Sequence, residues 1–332
     1  MKISEAAEQG EISFKLKKPI FYWGSPGIGK SNMVAQLRER LGVNLIDQRF
    51  SQMDPTDVRG LPMTLQEGME WWTTYAIPGF LPRLERDGED GILLLDEFNQ
   101  APQAVQAAGH QLILDRRLGD YVLPPGWLVI AAGNKMDDRA QAIRMSTSLS
   151  NRFKNVDVEV DVNEWKLWGR KAKMDPVIIA LINSKNEILH DMSDKGAAAW
   201  PSPRTWEMLS DHVPYMTEAN EYHTAVSCVG KGAGGIYVAF KQLEEQVPTI
   251  KEIFENPTTA RLPTEPSAMF FVSGMLSTQV TEEYFPNFLK YQQRLGIEYQ
   301  TVFMKDAYQV CPDISDLKEY GEWALTNHNT VL

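Results

Sequence analysis

Short apolar runs recur through the first half of the chain, each closed by small or polar residues and separated from the next by a longer mixed stretch. Pro19-Ile20-Phe21-Tyr22-Trp23 is the first. Val43-Asn44-Leu45-Ile46-Asp47, Ile92-Leu93-Leu94-Leu95 and Trp127-Leu128-Val129-Ile130-Ala131-Ala132 follow, and Val156-Asp157-Val158-Glu159-Val160 alternates apolar with acidic. Four or more consecutive apolar residues suit a parallel strand covered by helices on both faces, and alternation suits a strand as well. Helical patterns fill the gaps: residues 3 to 16 around Ala6, Ala7 and Ile12, interrupted by Gly10; Asn32 to about Leu41, with Gly42 placed as a C-cap; and Ala101 to Leu114. Strand and helix alternate to about residue 162, which predicts an α/β domain with a mainly parallel sheet.

Two stretches break the alternation. Asp54 to Pro82 is rich in Asp, Pro and Gly, holds Arg59-Gly60-Leu61-Pro62 and Trp71-Trp72, and predicts an inserted hairpin or loop. Tryptophans exposed there would mark a contact surface, although packing against the domain is the commoner fate of such rings. Asp115 to Val122 predicts a turn or hairpin. From Trp165 to about Pro214 the pattern is helical, with Ile178, Ile179, Leu181 and Ile182 as core candidates and Trp200 to Trp206 as a proline-stiffened helix start carrying Arg204 in its first turn. Further helices are expected at Val238 to Gln246 and Tyr284 to Arg294. Gly230 to Gly235 satisfies G-x-G-x-x-G, but no strand-helix-strand unit surrounds it, so a glycine-rich turn is the expectation.

Charge and composition narrow the function classes. The 332 residues carry a formal net charge of −11, which argues against a surface that holds nucleic acid by neutralising phosphates. Cys228 and Cys311 lie far apart and the five histidines are scattered, so neither a disulfide framework nor a metal-ligand spacing is present. Met1-Lys2-Ile3-Ser4-Glu5 lacks the apolar core of a secretion signal, and no run reaches the roughly 18 apolar residues of a membrane span, so a soluble, cytoplasmic protein is expected.

The chemistry sits at the end of the first apolar run. Gly24-Ser25-Pro26-Gly27-Ile28-Gly29-Lys30-Ser31 fits the phosphate-loop pattern G-x-x-x-x-G-K-[ST] at every fixed position, between a predicted strand and a predicted helix that opens at Asn32. The glycines let backbone N–H groups turn inward around a triphosphate, and the helix N-terminus adds partial positive charge. Lys30 would reach the β- and γ-phosphates, and the Ser31 hydroxyl would hold Mg²⁺. Asp96 and Glu97 follow the third run, at the strand end where ligands sit in such sheets; Asp96 is the natural Mg²⁺ partner and Glu97 is placed to orient and deprotonate a water. Asn134, after the fourth run, is either a contact to the γ-phosphate or attacking water, or a turn-forming Asn beside Gly133. Arg204 is either a solvated surface residue or a phosphate contact from a lid.

Taken in order, the phosphate loop, Leu95-Asp96-Glu97, Asn134, Arg152 and Arg204 resemble those of an AAA+ ATPase. Asp96-Glu97-Phe98-Asn99-Gln100-Ala101-Pro102, the turn from Arg116 to Pro125, and Arg144-Met145-Ser146-Thr147-Ser148-Leu149-Ser150-Asn151-Arg152-Phe153 are most similar to its MoxR branch. The resemblance covers about residues 15 to 210. It implies a P-loop parallel-sheet core over residues 1–162, a helical lid over 163–214, and a mostly helical C-terminal extension over 215–332. It implies a Walker A motif at Gly24 to Ser31, a Walker B motif at Asp96 and Glu97, sensor 1 at Asn134, an arginine finger at Arg152 or Arg144, and sensor 2 at Arg204. Ser-Asn-Arg-Phe stands where many relatives have Asp before Arg, which leaves the choice of finger open. An arginine finger serves a neighbour's phosphates, so the resemblance implies a homo-oligomer, a hexameric ring, with ATP and Mg²⁺ as ligands. It also implies a remodelled protein client, such as a von Willebrand A domain protein. A nucleic-acid motor with Arg116-Arg117 facing a pore, a nucleotide-gated scaffold with little turnover, and GTP in place of ATP stay open at this point.

Overall fold

The computed structural model describes residues 1–135, 145–194 and 196–327. The chain divides into two compact units, Met1–Asp161 and Val162–Leu332.

The first unit is built on a five-stranded sheet in the order β2-β5-β8-β1-β9, parallel throughout. Its strands are β1 (Ile20–Trp23), β2 (Asn44–Arg49), β5 (Asp90–Asp96), β8 (Gly126–Gly133) and β9 (Lys154–Asp157). Side chains leave a strand on alternate faces, which is why the central runs Ile20–Trp23, Ile92–Leu95 and Trp127–Ala132, covered on both faces, are apolar at every position, whereas the edge strands β2 and β9 carry polar residues. Ile20, Tyr22, Ile92, Leu94, Leu128 and Ile130 enter one core with Ala6, Ala7, Met33, Val34 and Leu37. Phe21, Leu93, Leu95, Val129 and Ala131 enter the other with Val105, Ala108 and Leu112. The helices supplying those partners are α1 (Ile3–Leu16), α2 (Lys30–Leu41) and, after the short α3 (Pro55–Arg59) and α4 (Leu84–Asp87), α5 (Gln103–Asp115). Each such side chain sealed from water contributes on the order of 1.5–3 kcal/mol, as an upper estimate.

Two expectations are corrected in this unit. Helix α1 runs unbroken through Gly10, which is buried. A Cβ there would lie 2.4 Å from the Tyr22 hydroxyl and 2.7 Å from Leu37 Cδ2, so this glycine is there for close packing of α1 on β1 and α2. The fifth strand lies at Lys154–Asp157, ahead of the expected 156–160, because its pairing with β1 runs from Ile20↔Lys154 to Trp23↔Asp157 and ends where β1 ends. The alternation itself continues, with Val156 and Val158 both buried.

The insert is a hairpin of β3 (Pro62–Glu67) and β4 (Glu70–Tyr75), and a second small hairpin joins β6 (Arg117–Leu118) to β7 (Tyr121–Val122). Trp71 and Trp72 are 66% and 43% exposed, so they are not packed against the domain. A last short helix, α6 (Thr147–Ser150), precedes β9 and is capped by the Ser146 hydroxyl, which accepts from the Leu149 N–H.

Among its described residues the second unit has no strand. It begins with α7 (Val162–Lys171), α8 (Pro176–Ser184) and α9 (Pro203–His212), followed by α10 (Glu221–Val229), α11 (Lys231–Lys241) and α12 (Ile250–Glu255). The remaining helices are α13 (Pro266–Thr278), α14 (Phe285–Gln292), α15 (Ile297–Val310) and α16 (Lys318–Thr326). Asp175 caps α8 by accepting from the Val177 and Ile178 N–H groups, and Ile178, Ile179, Leu181 and Ile182 are buried as expected. The G-x-G-x-x-G stretch is a helix junction: Gly230, at φ 84°, closes α10 and starts α11. Gly234 lies so near the backbone of Ala225 and Val226 that a Cβ would meet it at 2.8–2.9 Å. Helix α13 packs on both α8 and α15, so helices on either side of residue 214 touch. Between α7 and α15 the buried Lys166 ammonium donates to Asp306 Oδ1 at 3.0 Å and to Asn183 Oδ1 at 2.6 Å. No helix among the described residues is long and apolar enough to cross a membrane.

Candidate nucleotide site

Strand β1 delivers Gly24 to the carboxyl edge of the sheet, where its N–H donates to the Gly133 carbonyl at the end of β8. A Cβ on Gly24 would strike Ile28 Cδ1 at 2.6 Å and the Val158 carbonyl at 2.8 Å, so the loop must leave β1 through a glycine. Gly27 and Gly29 stand at φ 80° and 95°, a region L side chains avoid, and they turn the chain into α2 without a side chain inside the turn. Apart from the adjoining stretch of chain, no atom of the described residues lies within 4 Å of the place a Gly29 Cβ would take. The first N–H groups of the 12-residue α2, from Lys30, Ser31 and Asn32, stand at the positive end of its dipole.

Side chains from three strand ends meet at this turn. The Lys30 ammonium, 9% exposed, donates to the Gly24 carbonyl at 2.7 Å, the Ser25 carbonyl at 3.0 Å and Asn134 Oδ1 at 3.0 Å. The Ser31 hydroxyl donates to Asp96 Oδ2 at 2.6 Å. Glu97 follows on β5 with its carboxylate taking the Ser51 hydroxyl, which comes from the turn after β2. Its backbone stands at φ 54°, ψ 31°, left-handed and uncommon for a residue with a long side chain. The Ser31 hydroxyl and the Asp96 carboxylate are hard oxygen donors of the kind Mg²⁺ takes.

Two residues of this arrangement had no role in the sequence reading. Asn99 is fully buried and clamps Asn134 from both sides: its Nδ2 donates to the Asn134 carbonyl at 2.8 Å and its Oδ1 accepts the Asn134 N–H at 3.1 Å. A Cβ on Gly133 would stand 2.1 Å from Asn99 Oδ1, so the clamp needs that glycine. Ser51, the other, holds Glu97. Asn99 sits in the Asp96–Pro102 motif and was visible as part of it, whereas a serine one residue past Phe50 offers no local signal.

The carboxyl edge is crowded with negative charge. Although Asp47 is exposed, partial desolvation raises its carboxyl above its ordinary 3.8, and the nearby Asp96 pushes it further, with a pull down from Arg49 and a smaller push up from Glu97.

The arginines separate. Arg152 follows α6, is exposed, and its side chain makes no hydrogen bond or ion pair among the described residues. Arg144 lies outside the described residues. Arg204 is exposed in the first turn of α9, in the second unit, where it lowers the Glu207 carboxyl that burial and Asp211 raise. Arg116 is not available to face a pore: its guanidinium donates to the carbonyls of Pro124 at 2.8 Å, Pro125 at 3.3 Å and Trp127 at 2.8 Å, fastening the small hairpin to the start of β8. Arg117, beside it, is exposed. Among the described residues no group of three or more His, Cys, Asp or Glu could hold a metal ion.

Residues 19–153 match the family model of the AAA domain, dynein-related subfamily. Midasin of Giardia intestinalis is 28% identical over 157 residues, which are 45% of this chain and 3% of that protein, so the chain spans a small fraction of the relative's length. The RuvB Holliday junction branch migration motor of Thermotoga maritima is 14% identical, over 87% of this chain and 86% of that one, with a TM-score of 0.41. NtrX of Brucella abortus, solved in complex with ADP, is 14% identical over 98% and 67% of the two chains, with a TM-score of 0.42.

Proposed function

We propose that this chain, whose matched AAA domain contains the phosphate loop and both strand ends facing it, is an Mg²⁺- and ATP-dependent AAA+ ATPase. In this reading it is of the MoxR-like kind, assembles into a homo-oligomeric, hexameric ring, and remodels a protein client. The observation that carries the reading is the convergence of Lys30, Asn134, Ser31 and Asp96 within hydrogen-bond distance at one glycine turn. Ser31 and Asp96 are 65 positions apart in sequence, and the fold brings their oxygens together there.

Bound ATP with Mg²⁺ supplies the phosphoryl group to be transferred and a metal charge that balances its oxygens. The chain's own part is positional and electrostatic. The inward N–H groups of Gly27 to Asn32 and the Lys30 ammonium bind phosphate oxygens, with Ser25, Pro26 and Ile28 shaping the loop. Ser31 and Asp96 hold the metal. Glu97 accepts a proton from the attacking water, Ser51 keeps that carboxylate in place, and Asn134, set by Asn99, orients the water. Arg152, or Arg144, serves a neighbouring protomer's phosphate, and Arg204 keeps the sensor 2 role that the resemblance implies. The engagement of Arg116 with carbonyls and the net charge of −11 both favour a protein client over nucleic acid.

The test is Glu97→Gln, with ATP and GTP both offered. ATP binding and assembly should stay near the parent values while turnover falls by about 10²-fold or more, the loss expected of a positioned general base. Normal hydrolysis in that variant would remove the assignment.

A further inference from the structure

The β3–β4 hairpin leaves an unusual surface in water. Residues directly opposite one another share a face, so the pairs Met63↔Thr74 and Leu65↔Trp72 put Met63, Leu65 and Trp72 together, while Pro62↔Tyr75 and Gln66↔Trp71 put Trp71 and Tyr75 on the other side. All five are exposed, and Met69 at the tip is 96% exposed. Each strand has only the other as a neighbour among the described residues, so both outer edges present unpaired backbone groups. A two-stranded ribbon is marginal in water by itself.

Exposed edges are ordinarily blunted by lysines, interior prolines or bulges. This ribbon has no lysine or arginine, and its one proline stands at the first position of β3. Its only charges, Glu67 and Glu70, are paired directly opposite each other at the tip. Like charges in that relation destabilise a ribbon, and a cation between them would relieve it. Exposed indoles beside carboxylates are also good seats for Lys and Arg side chains.

We propose that this hairpin is a docking edge for an extended polypeptide in which basic and apolar residues alternate, added as a third strand. Backbone hydrogen bonds to the open edge hold the segment, Trp71 and Trp72 pack on its apolar residues, and Glu67 and Glu70 take its cations. Nucleic acid brings phosphates to two carboxylates with no cation on the ribbon, and a second copy of the hairpin brings two more carboxylates. The proposal rests on the reading of the chain as a motor acting on protein and names the chemistry of the segment it grips.

The experiment uses the full chain at low salt with a fluorescent alternating Lys–Val decapeptide, its Glu–Val counterpart and an oligothymidylate, read by anisotropy. Amide hydrogen exchange and basal ATP turnover are measured alongside. The Lys–Val peptide is expected to bind, to weaken as salt rises, and to slow exchange within residues 62–75. Trp71→Ala with Trp72→Ala, and separately Glu67→Gln with Glu70→Gln, should each weaken it at least about tenfold while basal turnover is unchanged. Absent binding, equal binding of either control, or protection elsewhere overturns the proposal. So does a smaller assembly in the tryptophan variant, which would give the hairpin to a second copy. Peptide binding that obeys these expectations in a chain without ATP turnover keeps the docking edge and sinks the ATPase reading instead.

Discussion

Asn99 shows how one buried amide can govern a site it does not touch. Both of its polar atoms are spent on the backbone of Asn134, whose side chain in turn meets Lys30. Asn99→Ala should therefore leave ATP affinity within a few-fold of the parent while turnover drops by about 10²-fold, the size of loss that follows when a catalytic group is misplaced by roughly an ångström. Steady-state kinetics beside nucleotide titration separates the two quantities, and a fall in affinity alone would make Asn99 a mere packing residue. The phosphate loop was legible in sequence because its glycines, lysine and serine act over eight consecutive positions. Ser51 was not, and Asn99 was visible only as a member of the Asp96–Pro102 motif and not in its clamping part, because their partners are 46 and 35 positions away and only the folded sheet brings them together.

At the scale of elements, the carboxyl edge of β2 and β5 gathers Asp47, Asp96 and Glu97 on adjacent strands, with Asp47 beside Leu94 and Arg49 beside Asp96 in the register. The Asp47 carboxyl holds its proton more firmly in the folded chain than its ordinary 3.8 allows, from partial desolvation first and its acidic neighbour Asp96 second. Its contribution to stability is therefore full below that value and is lost as pH rises through the raised one. Asp47→Asn should melt above the parent at neutral pH, and the advantage should shrink to nothing as pH falls below about 4. Melting curves at several pH values check this; a constant difference would assign the effect to packing. Strands were readable wherever both faces are covered, since the requirement for apolar residues at every position leaves a continuous run. The exposed hairpin defeated the same logic: Trp71-Trp72 looks like core material, and sequence does not say that both rings stand exposed.

For the molecule as a whole, the proposed ring makes hydrolysis a property of pairs. Lys30→Ala removes a phosphate contact from its own site but leaves its Arg152 to lend, and Arg152→Ala has the reverse defect. Each alone should be nearly inactive, and an equimolar mixture should regain a measurable fraction of parent turnover, because some boundaries then join an intact loop to an intact arginine. A mixture as inactive as its components would exclude Arg152 as the lent group and turn attention to Arg144. The second unit was legible as helices from its caps and periodicity, but the packing of α13 on α8 was not, because it joins segments far apart in the chain.

The left-handed backbone at Glu97 has a consequence for how such a chain persists. A side chain held there costs about 1–2 kcal/mol, which glycine would not incur, against roughly 0.5–1 kcal/mol of added freedom in the unfolded chain. Glu97→Gly should thus outlast Glu97→Gln in a denaturant titration, and a lower midpoint would refute it. On the proposed reading, drift at this position runs downhill toward hardier, inert proteins, and only the demand for work keeps the acid where it is.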